Sequence, residues 1–225
     1  MNFLKQIKAI VWKDLVSEFR TKEMLSAMLI FSFLVIVIFA FAFDPARETT
    51  RAVFPGIIWV GISFAAILGL NRSFVAEKEN DSLLGLMLTP ADRSVIYFAK
   101  VIGNLILVWM VVLISMPLYF IFFNFQWAGS IPILALIIFL STLGFISVGT
   151  FLAALAANTR TSEILLPIIV FPIVVPVIIA AVESTAIVLG SVAHGGLMSW
   201  LMLLILYDVI FLAVPFVLFD YVLEV

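Results

Sequence analysis

Residues 24–43 read MLSAMLIFSFLVIVIFAFAF, twenty positions without a charge. An α-helix rises about 1.5 Å per residue, so this run spans roughly 30 Å, the thickness of a bilayer's hydrocarbon core. Ala40-Phe41-Ala42 imitates a signal-peptidase site behind a basic N-terminal segment. Secretory signal cores, however, run only about 7–15 apolar residues. This core is longer and follows a long charged segment, so it reads as a retained membrane span.

Outward from it, five more stretches pass the same test: Ala52–Leu70, Val101–Phe123, Ile131–Ala157, Ile164–Val182 and Leu197–Phe219. A lone strand in lipid would leave its backbone unsatisfied, so all six read as helices. The remaining sequence is sparse. Of 225 residues 65% are hydrophobic and 12% charged, and the mean hydropathy is +1.30. Soluble domains are about 45–50% apolar and about 25% charged. The expected fold is therefore an all-α integral membrane domain over residues 1–225, preceded within it by an interfacial helix over 1–23.

Composition removes several chemistries. Cysteine is absent, which excludes disulfides, thiolate metal sites, Cys nucleophiles and C-x-x-C-H haem attachment. A single His, His194, excludes a multi-histidine metal centre. No G-x-x-x-x-G-K-[ST] run occurs, so ATP hydrolysis by the P-loop route would fall to a partner. The net charge of −2 offers no basic surface for nucleic acid. No catalytic motif marks the chain as an enzyme.

Lys and Arg set the orientation. Ten of the twelve fall on one side: Lys5, Lys8, Lys13, Arg20 and Lys22 before the first span, Arg72, Lys78, Arg93 and Lys100 in the second loop, and Arg160 in the fourth. Only Arg47 and Arg51 lie opposite. Both termini and the 71–100 loop are thus expected in the cytoplasm, in a bacterial inner membrane.

Before the first span, Phe3, Leu4, Ile7, Val11, Leu15 and Phe19 recur at helical spacing, with Lys5, Lys8, Lys13, Ser17 and Arg20 on another face. Such a helix lies in the membrane interface with its cations among lipid head groups. It is either a topological anchor or an elbow that touches a partner. In the second loop, a short helix through Glu77–Glu79 would present Phe74 and Leu83 to protein. Thr89-Pro90-Ala91-Asp92 then resembles a helix start. This loop is either a solvated connector or a unit that carries force from a cytosolic engine. Pro167, Pro172 and Pro176 kink the fifth span or hinge it. The segment Glu183–Gly196 is too short to span and is expected to dip into the outer leaflet.

Two ionisable residues stand apart. Asp208 lies near the middle of the last span, where a carboxylate costs about 2.5–3.5 kcal/mol on insertion scales. It calls for burial against another helix, with Tyr207 as one partner, and serves either mechanism or a contact between subunits. His194, beside Gly195-Gly196, is either a haem-iron ligand or a polar loop residue. The aromatic run Phe120–Phe125 reads as a lipid-facing belt rather than a porphyrin slot.

Several of these segments together resemble the haem exporter protein B family. They are Trp12-Lys13-Asp14-Leu15 with Arg20, Gly56-Ile57-Ile58-Trp59-Val60, Asn71-Arg72-Ser73-Phe74, Glu77-Lys78-Glu79, Leu83–Pro90 with Lys100, and Leu165-Leu166-Pro167 with Pro172 and Pro176. The departure is Asn80-Asp81, where an acidic-Gly turn is expected. The resemblance covers nearly the whole chain.

It implies a permease similar to the type-2 ABC exporter fold, in a complex for cytochrome c maturation. A separate ABC ATPase subunit would dock through Phe74, Glu77, Glu79, Asp81 and Leu83. A haem-handling membrane protein, a small helper subunit and a periplasmic haem chaperone would be the other partners. ATP enters only through the ATPase, and haem is a possible cargo. The favoured role is release of the loaded chaperone rather than passage of haem through this subunit. Other readings are an ABC permease for another cargo, a secondary transporter or channel, and a non-transporting scaffold. A secondary transporter would line a path with several intramembrane charges, and only Asp208 is clearly within a span.

Overall fold

Long apolar runs with no water to satisfy their backbone must satisfy it within themselves, and here they do so as helices. The computed structural model describes residues 3–43, 48–79, 93–126, 129–157, 162–191 and 196–222, and every regular element among them is α-helical. The elements are α1 (Phe3–Thr21), α2 (Glu23–Ala42), α3 (Glu48–Glu79), α4 (Arg93–Phe122), α5 (Ile131–Ala157), α6 (Ser162–Val188) and α7 (Leu197–Val222). From α2 onward, six are long and apolar enough to cross a membrane, as the sequence predicts.

The elements depart from expectation in three respects. First, α3 continues past Leu70 to Glu79, and α4 already begins at Arg93. No Gly or Pro interrupts 71–79 to stop the helix. The short helix foreseen through Glu77–Glu79 is therefore the end of α3. The Thr89–Asp92 start falls outside the described residues. Second, α6 runs on to Val188, with the polar residues at this level carried into the bundle. Ser184 and Thr185 are fully buried, and Thr185 accepts a hydrogen bond from Trp59 Nε1 at 2.9 Å. Third, α6 ends in a Schellman turn, with Ser191 N–H donating to Ala186 O at 2.9 Å and Gly190 N–H to Ile187 O at 3.2 Å. Gly190 takes the left-handed conformation there, at φ 69°. Asn124 plays the same part after α4, at φ 45°.

α3 packs against α2, α4, α5 and α6, while α7 lies on α4, α5 and α6. Indole–threonine bonds tie neighbouring spans: Trp59 to Thr185 between α3 and α6, and Trp109 Nε1 to Thr142 Oγ1 at 3.0 Å between α4 and α5. In lipid, where apolar surface supplies little attraction between helices, such bonds and close backbone approach hold the bundle. Gly61 on α3 is one approach point, since a Cβ there would run into the Tyr119 hydroxyl of α4.

The aromatic belt reading needs correction. Phe54 is fully buried, with Phe125 stacked on it at 4.5 Å and Phe123 and Phe120 at 5.3 and 5.5 Å. Three of the rings in Phe120–Phe125 thus face inward, and only Ile121 and Phe122 of the apolar residues point out. The turn after Phe122 folds Phe123 and Phe125 back onto α3, which a run of equivalent phenylalanines does not disclose.

Candidate functional site

At one end of the bundle α1 is fastened across the spans by charge. Ile7, Ile10 and Val11 are buried on α1, and Asp14 continues the same stripe one turn on. Its carboxylate Oδ2 accepts from Lys100 Nζ of α4 at 2.7 Å, and Oδ1 lies 3.1 Å from Lys13 Nζ. Lys100 is 3% exposed and the Asp14 side chain 19%. Little water is left to either group, so each depends on the other for solvation. Phe3 meets Phe98 edge-on at 6.3 Å, a second tie between α1 and α4.

The corner between α1 and α2 is built by Lys22, which lies between them, and Glu18 in the last turn of α1. Lys22 turns the chain at φ 57° in the left-handed region, which costs an L-residue roughly 1 kcal/mol. Glu18 compensates by accepting the backbone N–H of Leu25, one of the unpaired donors at the start of α2, at 2.8 Å. Glu23 at the head of α2 pairs with Arg72 of α3 at 3.1 Å. That pair is solvent-exposed and contributes little to stability. Together these contacts join α1, α2, α3 and α4 where α3 extends toward its connection with α4.

The sequence-predicted site residues are placed unevenly. Phe74, Glu77 and Glu79 lie on the last turns of α3, where only the backbone is described. Asp81, Leu83 and His194 lie outside the described residues. Asp208 is in α7, 5% exposed, and closes on α5: a Cβ on Gly144 would stand 2.6 Å from its Oδ1. Tyr207, the foreseen partner, instead gives its hydroxyl to the Ile173 carbonyl at 2.9 Å. Ile173 sits in the turn before Pro176, whose missing N–H leaves the Pro172 carbonyl without its helical donor.

Sequence reasoning counted Asp14 and Lys100 only as topology and motif residues. A signal for the pair was present. Asp14 sits seven residues after Ile7 on the stripe of α1 that becomes buried, and Lys100 stands in the apolar run from Val95 to Val101. The expected apolar stripe of α1 is also divided. Ile7 and Val11 face the bundle, together with Ile10 outside the expected stripe, whereas Leu4 and Phe19 face away, 76% and 54% exposed. Among the described residues, no group of three or more His, Cys, Asp or Glu is placed to hold a metal ion.

Comparison with known proteins finds one family over almost the whole chain. The family model described as "CcmB protein" matches residues 5–222. The chain is 26% identical over 183 residues to heme exporter protein B of Pseudomonas aeruginosa, covering 81% of this chain and 82% of that one. It is 30% identical over 171 residues to heme exporter protein B of Escherichia coli strain K12, covering 74% and 75% respectively. With the Rhodobacter capsulatus protein of the same name it shares 26% over 177 residues, covering 79% and 81%.

Proposed function

We propose that this chain, which belongs to the CcmB protein family, is the membrane permease subunit of a haem exporter complex. The match to that family over residues 5–222 carries the reading. In this proposal a separate ABC ATPase subunit hydrolyses ATP and acts on the permease from the cytoplasm. The connection between α3 and α4 receives the ATPase through Phe74, Glu77, Glu79, Asp81 and Leu83. A haem-handling membrane protein, a small helper subunit and a periplasmic haem chaperone complete the assembly. ATP hydrolysis then releases the loaded chaperone.

Two structural features support such coupling. α3 is one uninterrupted helix from within the span to Glu79, so its last nine residues project about 13 Å beyond Leu70 as a stiff lever. At its other side, α4 starts at Arg93 and within two turns reaches Lys100, which holds α1 through Asp14. A push on the connection would thus reach the interfacial helix as well as two spans. Glu77→Lys with Glu79→Lys, in the full complex, tests the docking element. Reduced co-purification of the ATPase subunit is expected, and full recovery would remove the claim.

A further inference from the structure

α7 runs through Pro215 without ending. Proline has no N–H, so in a helix the carbonyl four residues earlier, here that of Phe211, loses its regular donor. Within a bilayer such a carbonyl has to be met from outside its own helix. Tyr97, in the second turn of α4, meets it: its hydroxyl lies 3.2 Å from Phe211 O. The same hydroxyl lies 3.1 Å from the carbonyl of Ser147 on α5. Tyr97 and Pro215 are both buried, so bulk water does not compete at this point.

The two carbonyls are not equivalent. Ser147 lies inside α5, where the helical ladder already brings the N–H of Phe151 to its carbonyl. A phenol has one proton to donate. Phe211 O is the acceptor that needs it, and Ser147 O is a second acceptor within reach. If α7 draws away, the hydroxyl keeps a partner instead of being left unpaired in an apolar interior.

The ties of α7 also change at this break. Before it, the Tyr207 hydroxyl donates to Ile173 O of α6 at 2.9 Å, and Asp208 stands against Gly144 of α5. After it, Phe216 meets Phe98 of α4 at 5.8 Å, and Phe98 in turn meets Phe3 of α1 edge-on at 6.3 Å. The longer arm of α7 is thus fastened to α5 and α6, the shorter one to the start of α4. Tyr97 and Phe98 are neighbours, so two consecutive residues of α4 hold both sides of the break.

We propose that α7 is a hinged helix that bends between Phe211 and Pro215, and that Tyr97 is the pin of the hinge. The arm over 216–222 follows the first turns of α4, while the arm over 197–211 stays with α5 and α6. The inference is independent of the haem-export reading.

Hydrogen–deuterium exchange on the full chain in nanodiscs tests it, with the amides of 216–222 compared with those of 198–207. Tyr97→Phe removes the pin. It should speed exchange over 216–222 by roughly three- to tenfold, the range for one lost hydrogen bond, and leave 198–207 unchanged. Pro215→Ala returns an N–H to Phe211 O and should by itself slow exchange over 216–222. In the Pro215→Ala chain, adding Tyr97→Phe should have no effect there, because the carbonyl no longer needs the hydroxyl. Equal acceleration by Tyr97→Phe in both backgrounds would make the tyrosine a packing residue only and overturn the proposal. No acceleration in the native background overturns it as well. So does a Pro215→Ala chain that exchanges at the native rate, whether or not Tyr97→Phe folds.

Discussion

Lys100 and Asp14, 86 positions apart in sequence, form an ion pair of 2.7 Å whose ammonium is almost wholly removed from solvent. Its two halves are unequal. Asp14→Ala takes the facing carboxylate from a buried cation, whereas Lys100→Met replaces that cation by an apolar side chain of similar length. Asp14→Ala should destabilise the chain by on the order of 3 kcal/mol and Lys100→Met by clearly less, since the desolvation cost leaves with the charge. Unfolding in mixed detergent micelles measures both, and equal losses would contradict the buried-pair account.

Trp59 and Thr185 should show direct coupling. Trp59→Phe and Thr185→Val each remove one side of the indole–hydroxyl bond. Bonds of this kind between membrane helices average about 0.6 kcal/mol in double-mutant cycles. The cycle is expected to return a favourable coupling of that order, and strict additivity would show the contact to be idle.

A methyl on Gly61 competes for space with the Tyr119 hydroxyl. Gly61→Ala should therefore cost about 1–3 kcal/mol through overpacking. Adding Tyr119→Phe, which removes that oxygen, should recover part of the loss. Failure of the second change to help would place the strain elsewhere.

The absence of cysteine makes orientation directly measurable. Lys78→Cys is expected to react with a membrane-impermeant thiol reagent only from the cytoplasmic side. Arg51→Cys is expected to react only from the opposite side. Reversed labelling would overturn the proposed topology and with it any cytosolic docking at the α3–α4 connection.

How far the sequence reaches differs from element to element. The run Met24–Phe43 is legible as a span because insertion energy adds up over adjacent residues, whatever their neighbours in space. The end of α3 was less legible. Residues 71–79 are polar enough to read as loop, yet nothing in them breaks a helix already under way, and cooperativity carries it on. In the same way Glu183 marked an apparent end of α6, but Ser184 and Thr185 lie buried on a continuing helix, with Thr185 accepting from Trp59.

Sequence alone determined the six helices long and apolar enough to cross a membrane, the amphipathic segment before them, the lack of metal-thiolate and P-loop chemistry, and the family resemblance. All of these rest on local hydrophobicity, residue identity or motif. Tertiary structure alone decided that Asp14 faces Lys100, that Phe123 and Phe125 turn in onto Phe54, and that Asp208 enters the notch at Gly144. Those outcomes depend on how helices far apart in the chain rotate and pack against one another. Hydropathy cannot report that rotation, because in lipid an apolar side chain is equally satisfied facing a neighbouring helix or facing the bilayer.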